Sequence, residues 1–119
     1  DVANAIGAIT SNVVVKRHVR IIPDQEGGFL IEGLAGARHF QKFGEADAFA
    51  REKLARMVRD LAWAAGTSSR VVELKTEDQI PTTADGKQIF MGRIIHAKLT
   101  GQPDIVTGDN HYRLAAVAN

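Results

Sequence analysis

The feature that most constrains the fold is a 23-residue segment, residues 44–66, whose apolar side chains recur at helical spacing. The stripe consists of Ala46, Ala50, Leu54, Met57, Val58 and Leu61. Glu45 and Asp47 lie in the first turn, where the helix dipole favours negative charge, and Gly66 stands where a helix commonly ends. The pattern predicts one long amphipathic helix of about six turns that buries a single stripe against a sheet.

Residues 13–34 are predicted to form a β-hairpin, because apolar and polar side chains alternate there. The core side is assigned to Val13, Val15, Val19 and Ile21, and the other face to Lys16, His18 and Arg20. Arg17 breaks this alternation. The segment "PDQEGG" is a turn in which Gly27 and Gly28 are free to adopt positive φ, and "FLIEGL" returns as the second strand.

A second hairpin is predicted over residues 70–101. "RVVELKTE" forms the third strand, with Val72 and Leu74 directed inward, and "QIFMGRIIHAKLTG" forms the fourth. In the fourth strand the residues assigned inward are Ile89, Met91, Ile95, Ala97 and Leu99, those assigned outward are Phe90, Gly92 and Ile94, and Arg93 is misplaced. Pro81 and the Asp85-Gly86 pair make the connection a long loop rather than a tight turn.

Two hairpins joined through one helix predict an α+β fold, a mostly antiparallel four-stranded sheet in ββαββ order with the helix on one face. A short apolar helix over residues 2–11 precedes it. Residues 35–43 are a connector or a short extra strand, and the tail after Pro103 adds a final strand or an edge contact. With 45% hydrophobic and 24% charged residues in 119, the composition is that of one globular domain.

Charge and cysteine content exclude several classes of function. Fifteen Lys and Arg residues oppose fourteen Asp and Glu residues, so the net charge of +1 supplies no field toward nucleic acid or a membrane surface. The absence of cysteine excludes disulfides, thiolate nucleophiles and cysteine-based metal sites, and it fits a cytoplasmic protein. No apolar run reaches transmembrane length.

Two sets of titratable residues are candidates for a site of chemistry. The histidines, His18, His39, His96 and His111, lack the close spacing of a helical metal motif and are interpreted as surface imidazoles. His18 and His96 become neighbours if their strands pair. An acidic group of Glu77, Asp78 and Asp85 in the loop between the third and fourth strands has the chemistry for acid–base work or for a hard cation, although solvated loop charge is the favoured interpretation.

The basic residues of the first strand and of the helix are a candidate patch for a polyanion. They are Lys16, Arg17, Arg20, Arg51, Lys53, Arg56 and Arg59. With one Trp and one Tyr the chain has no aromatic platform for bases, so solvated outer faces are favoured over nucleic-acid binding. The glycine pairs lie in turns and match no nucleotide fingerprint. No catalytic, cofactor-binding or metal-ligating residue is therefore assigned.

The opening segment "VANAIGA", residues 2–8, followed at once by a strand rich in valine and basic residues, resembles the C-terminal part of hydantoinase/oxoprolinase family proteins. These are the ATP-dependent A-type subunits with an actin-like fold. The likeness continues through five further motifs: "GGF" at 27–29, "EADAFAREKLAR" at 45–56, "ED" at 77–78, "DG" at 85–86 and "TGQP" at 100–103. It covers most of the chain, and the order of the motifs is more specific than any one of them.

The resemblance implies that residues 1–11 are the remnant of a helix from an upstream actin-like domain and that residues 12–119 are an appended C-terminal α+β domain. Such a domain is the noncatalytic part of an ATP-dependent cyclic-amide hydrolase of the hydantoinase or 5-oxoprolinase type. ATP and magnesium are then expected for the parent protein and not in this domain, and the partner is the upstream ATPase domain or a partner subunit.

Two alternatives remain open from the residues themselves. The first is an independent α+β interaction or oligomerisation module, for which a second copy of the chain is the natural partner. The second is a small-ligand-binding domain, which requires a closed apolar pocket.

Overall fold

The computed structural model describes residues 12–36 and 38–104 of the chain. Its elements are β1 (Val13–Pro23), β2 (Phe29–Glu32), β3 (Arg38–Phe40), α1 (Phe43–Ala65), β4 (Glu73–Gln79) and β5 (Gly92–Gly101). The α+β class predicted from the sequence is confirmed for this part of the chain. The predicted helix over residues 2–11 and the tail beyond residue 104 lie outside the described residues.

The sheet has five strands in the order β3-β2-β1-β5-β4, and all neighbours run antiparallel. The sequence predicted four strands, and the structure adds a fifth, β3. The chain bends at residues 33–36 and returns along β2, which places Phe40 opposite Phe29 and against Phe49 of the helix, 5.1 Å between ring centroids. This aromatic contact packs the three-residue β3 against the core.

The helix packs on one face of the sheet, mainly on β1 and β5. The buried layer between them consists of Val15, Val19, Ile21, Ile31, Ala46, Ala50, Leu54, Val58, Ala62, Ile95, Ala97 and Leu99. The predicted stripe is confirmed, although Met57 and Leu61 lie at its margin and are only partly buried. Alanine at positions 46, 50 and 62 lets the helix backbone approach the strands closely.

The C-terminal end of the helix is defined by Gly66, as predicted. Gly66 has a left-handed φ of 107°, and its N–H donates to the carbonyls of Ala62 and Trp63. The next residue, Thr67, is almost fully buried and donates its hydroxyl to the Gln102 carbonyl at 2.7 Å. The helix end is thereby connected to the chain that follows β5.

The inward alternation predicted for residues 88–101 holds only from Gly92 onward. Ile89 and Met91, predicted inward, are 47% and 48% exposed, and Phe90, predicted outward, packs edge-to-face on Phe43 at 5.3 Å between ring centroids. Regular pairing of β5 begins at Gly92, so the residues before it are not held to the strand's alternation. The prediction was wrong there because a period-two pattern shows no strand boundary by itself.

The turn between β1 and β2 offers a matched pair of glycine substitutions. Gly27 and Gly28 both have positive φ, but a Cβ at Gly28 meets the Phe40 carbonyl oxygen at 2.5 Å, whereas a Cβ at Gly27 meets nothing within 4 Å. Each alanine variant bears the backbone strain, about 1 kcal/mol. We expect Gly28→Ala to lose about 1 kcal/mol more than Gly27→Ala in urea unfolding, because the clash adds to the strain. Equal losses would contradict the β2–β3 pairing at this turn.

Candidate functional site

The face of the sheet opposite α1 is the candidate functional surface. Since α1 is the one helix among the described residues and all five strands form a single sheet, no described helix or strand covers this face. The alternate residues of each strand, those that do not point to the helix, line it. We call it the open face.

A group of five exposed basic and imidazole side chains lies at the centre of the open face. This basic cluster consists of Lys16 and His18 on β1, His96 and Lys98 on β5, and Lys75 on β4. The register places Lys16 directly opposite Lys98, and it places His96 opposite both His18 and Lys75. The cluster therefore spans three adjacent strands.

The two imidazole rings of the cluster are in contact. Their centroids lie 5.9 Å apart with an interplanar angle of 41°. The sequence prediction that His18 and His96 become neighbours if their strands pair is confirmed. The register that brings them together is continuous over nine residue pairs of β1 and β5, so their proximity follows from a regular part of the sheet.

The lysines of the basic cluster have no ion pair within the described part of the chain. They line a depression of about 270 Å³ together with the two histidines, Arg17 and a single carboxylate, Glu73, which stands opposite Lys98. Like charges directly opposite one another on neighbouring strands destabilise a sheet. The Lys16 and Lys98 pair is therefore a cost to folding, which favours a role for it outside folding.

Apolar side chains border the basic cluster on the same face. Val14 is 50% exposed and stands opposite Thr100 at one end of the cluster. Ile94 is partly buried and stands between Arg20 and Glu77 at the other end. A charged centre with apolar flanks is a composition suited to contact with another protein surface.

The acidic group predicted in the loop is divided by the structure. Glu77 and Asp78 lie in β4, where Glu77 shares the open face with Ile94 and Asp78 faces the helix side opposite Arg93. Asp85 alone lies in the loop, where the Thr83 hydroxyl donates to it and lowers its pKa. No set of three metal-ligating side chains comes together among residues 12–36 and 38–104.

Arg93, which broke the predicted alternation, lies on the helix side and carries an ion-pair network. It donates to Asp78 through Nε at 2.5 Å and Nη2 at 3.0 Å, and to Asp47 of the helix through Nη1 at 3.1 Å. Its guanidinium also lies 4.8 Å from the Phe43 ring centroid. The hydrogen bonds from Arg93 hold the pKa of Asp78 below its ordinary value and raise the pKa of Arg93 itself. The network joins α1 to the β4–β5 hairpin.

The basic patch proposed from the sequence is separated into two sides of the molecule. Lys16 and Arg20 are on the open face, whereas the helix arginines lie beyond the other face and make local contacts, such as Arg51 with Asp47 at 2.7 Å and Arg59 with the Arg70 carbonyl at 2.9 Å. Lys75 and Lys98 were not predicted to belong to a basic patch, because their place beside Lys16 depends on the strand order.

Of the two remaining histidines, His39 is among the described residues. His39 Nε2 is 2.8 Å from the Gly27 carbonyl oxygen and 3.4 Å from Asp24 Oδ2, so this ring braces the β1–β2 turn. His111 lies outside the described residues. His39 is not among the residues that line the depression at the basic cluster.

Comparisons of the chain with models of protein families, with curated proteins and with solved structures gave no match. Within the described residues, no helix combines the length and apolar character that a membrane crossing requires.

Proposed function

We propose that this chain is a noncatalytic interaction domain that docks to another domain or subunit through its open face. The observation that carries the proposal is the basic cluster, whose three lysines lack ion-pair partners in the described residues, on a sheet face that no described element covers. An antiparallel sheet commonly buries one face against a core and leaves the other in water. In this sheet the helix α1 already covers one face. Among the described residues nothing covers the second face, which leaves it available to a partner.

The shape of the site supports docking over small-molecule binding. The depression at the basic cluster measures about 270 Å³, and small-molecule sites are usually closed clefts of about 300–1,000 Å³ with mainly apolar walls. A wide, charged centre with apolar borders such as Val14 and Ile94 matches a protein interface better.

The resemblance described above supports a specific parent for the domain. On that basis the parent is a cytoplasmic ATP-dependent cyclic-amide hydrolase of the hydantoinase or 5-oxoprolinase type, whose ATP and magnesium belong to an actin-like ATPase domain. The docking partner is then that ATPase domain or a partner subunit. The coding sequence directly before Asp1 tests this parentage, since actin-like phosphate loops support it and a start codon at that point contradicts it.

Lysine footprinting tests the docking role. We expect Lys16, Lys75 and Lys98 to react with an amine acetylating reagent in the isolated 119-residue chain, because all three are exposed. In the purified assembly of the complete gene product, the same lysines are expected to lose most of that reactivity, since docking removes them from water. Peptide mass spectrometry measures the acetylated fraction at each lysine.

Lys42 and Lys87 are the matched controls for the footprint. Both are exposed and lie outside the open face, at the start of the helix and in the β4–β5 loop, so they are expected to react equally in both samples. Equal reactivity of all five lysines in both samples refutes docking through this face. Protection that appears in the isolated chain as its concentration rises favours the independent oligomerisation module.

A further inference from the structure

We infer that the basic cluster receives the carboxylates of an acidic, extended segment of the docking partner. This inference rests on the proposed function and adds the chemistry of the partner. The cluster places three lysines and two imidazoles on three strands, and a single carboxylate, Glu73, lines the same depression. A partner that docks on this surface buries the lysines. It must then supply negative charge, because burying unpaired lysines is costly.

The spacing of the cluster matches an extended acidic chain. Neighbouring strands lie about 4.8 Å apart, and alternate residues on one strand lie about 7 Å apart. Lys16 and His18 on β1, and His96 and Lys98 on β5, therefore form a grid of about 5 by 7 Å. An extended segment with an acidic residue at every second position presents carboxylates with the same repeat of about 7 Å.

The donors present favour carboxylates on a protein chain over a phosphate group. β5, the middle strand of the cluster, is hydrogen-bonded on both sides, to β1 and β4, so its backbone N–H groups are occupied and it meets a ligand through the side chains of His96 and Lys98. Arg17 also lines the depression, but its Nη1 donates to the Lys16 carbonyl at 2.7 Å, and Arg20, on the open face of β1, donates its Nε to Gln79 Oε1 at 3.0 Å. Lysines are single charges on flexible stems, without the planar fork that arginine offers to a phosphate.

Acidic residues of the open face limit how far the proposed segment can extend along it. Glu32 stands opposite Arg20, and Glu77 stands opposite Ile94, in the row of the open face that follows the two histidines. A chain of carboxylates that extended into this row would meet like charge and would be repelled. The segment is therefore confined to the end of the face that Lys16, Lys75 and Lys98 occupy.

Zero-length cross-linking with a carbodiimide, which joins an amine to a carboxylate in direct contact, tests the inference on the purified assembly of the complete gene product. We expect amide links from Lys16, Lys75 or Lys98 to Asp or Glu residues of the partner, located by mass spectrometry. Lys42 and Lys87 are expected to give none of these links. If the three lysines are protected in the footprint but give no carboxylate links, docking stands and the inference is overturned. Absence of protection overturns docking itself.

A charge-reversal pair provides an independent measurement. Lys16→Glu with Lys98→Glu is compared with Lys42→Glu with Lys87→Glu, which changes the net charge equally at exposed positions outside the cluster. The probe is a hexaglutamate peptide added to the isolated chain, with affinity measured by calorimetry. We expect at least a tenfold loss for the cluster pair and less than a twofold change for the control pair, on the order expected for removed charge contacts.

A second probe distinguishes a phosphate group from carboxylates as the source of the negative charge. Inorganic phosphate is titrated under the same conditions, and it is expected to bind at least fivefold more weakly than hexaglutamate. Phosphate binding that equals or exceeds hexaglutamate binding overturns the inference, as does an equal loss in both charge-reversal pairs. An unchanged circular dichroism spectrum and thermal midpoint establish that each variant is folded.

Discussion

Replacing Leu54 with alanine is expected to lower the free energy of unfolding by about 2–5 kcal/mol. Leu54 is fully buried in the layer between α1 and the sheet. Its neighbours along the buried side of the helix include Ala46, Ala50 and Ala62, so Leu54 supplies much of the apolar volume that the helix contributes. Truncation removes that contact and leaves a cavity, because the strands are held in place by their ladders.

Urea denaturation measures the Leu54→Ala effect, and Val71→Ala is its control. Val71 is 77% exposed, and its truncation is expected to change stability by less than about 0.5 kcal/mol. The midpoint of the Leu54→Ala transition should fall while the slope stays constant. A loss below 1 kcal/mol would mean that the helix does not rest on the sheet along this stripe.

Replacing Arg93 with leucine is expected to lower the free energy of unfolding by about 2 kcal/mol, since hydrogen bonds to charged groups contribute roughly 1.5–3 kcal/mol each and this network is partly exposed. The variant removes the bidentate bond to Asp78, the bond to Asp47 and the contact with the Phe43 ring. It therefore loosens the connection between α1 and the β4–β5 hairpin.

The matched control for Arg93 is Arg56→Leu. Arg56 is exposed on the helix, and its replacement removes the same charge with an expected change below about 0.5 kcal/mol. Arg93→Lys keeps the charge but loses the bidentate geometry, so its free energy of unfolding should lie between those of the wild type and Arg93→Leu. Equal losses in the Arg93 and Arg56 variants would contradict the network.

The Arg93 network also predicts a direction for the pH dependence of stability. Because Arg93 holds the pKa of Asp78 below its ordinary value, the stabilisation is fully present above the pKa of an unfolded aspartate, about 3.9, and is lost as the pH falls through the lower pKa of the folded state. The deficit of Arg93→Leu relative to the wild type should therefore be largest near neutral pH and should shrink below about pH 4. A deficit independent of pH would exclude this linkage.

The residues that stabilise the fold and the residues proposed to dock lie on opposite faces of one sheet. The helix face holds the core and the Arg93 network, whereas the open face holds the basic cluster. Charge reversals at Lys16 and Lys98 should therefore alter binding without the losses expected for Leu54→Ala. This separation makes the interaction surface testable without unfolding the domain.

The sequence by itself determined the helix and the phase of β1, since both depend on local periodicity. The stripe containing Leu54, the inward positions Val15, Val19 and Ile21, and the stop at Gly66 are all set by residues within a few positions of one another. For the same reason the β5 phase was predicted for Ile95 but not for Met91, which precedes the strand boundary.

Only the tertiary structure decided which strands are neighbours, and with that the candidate site. Lys16, Lys75 and Lys98 are distant in the chain and meet because β5 lies between β1 and β4. Arg93 interrupts the apolar alternation of β5. Only the tertiary structure explains it, because the helix places Asp47 where it accepts a hydrogen bond from Arg93. Alternation specifies the face to which a side chain points, but the side chains beside it on that face depend on long-range pairing, and no local pattern records that pairing.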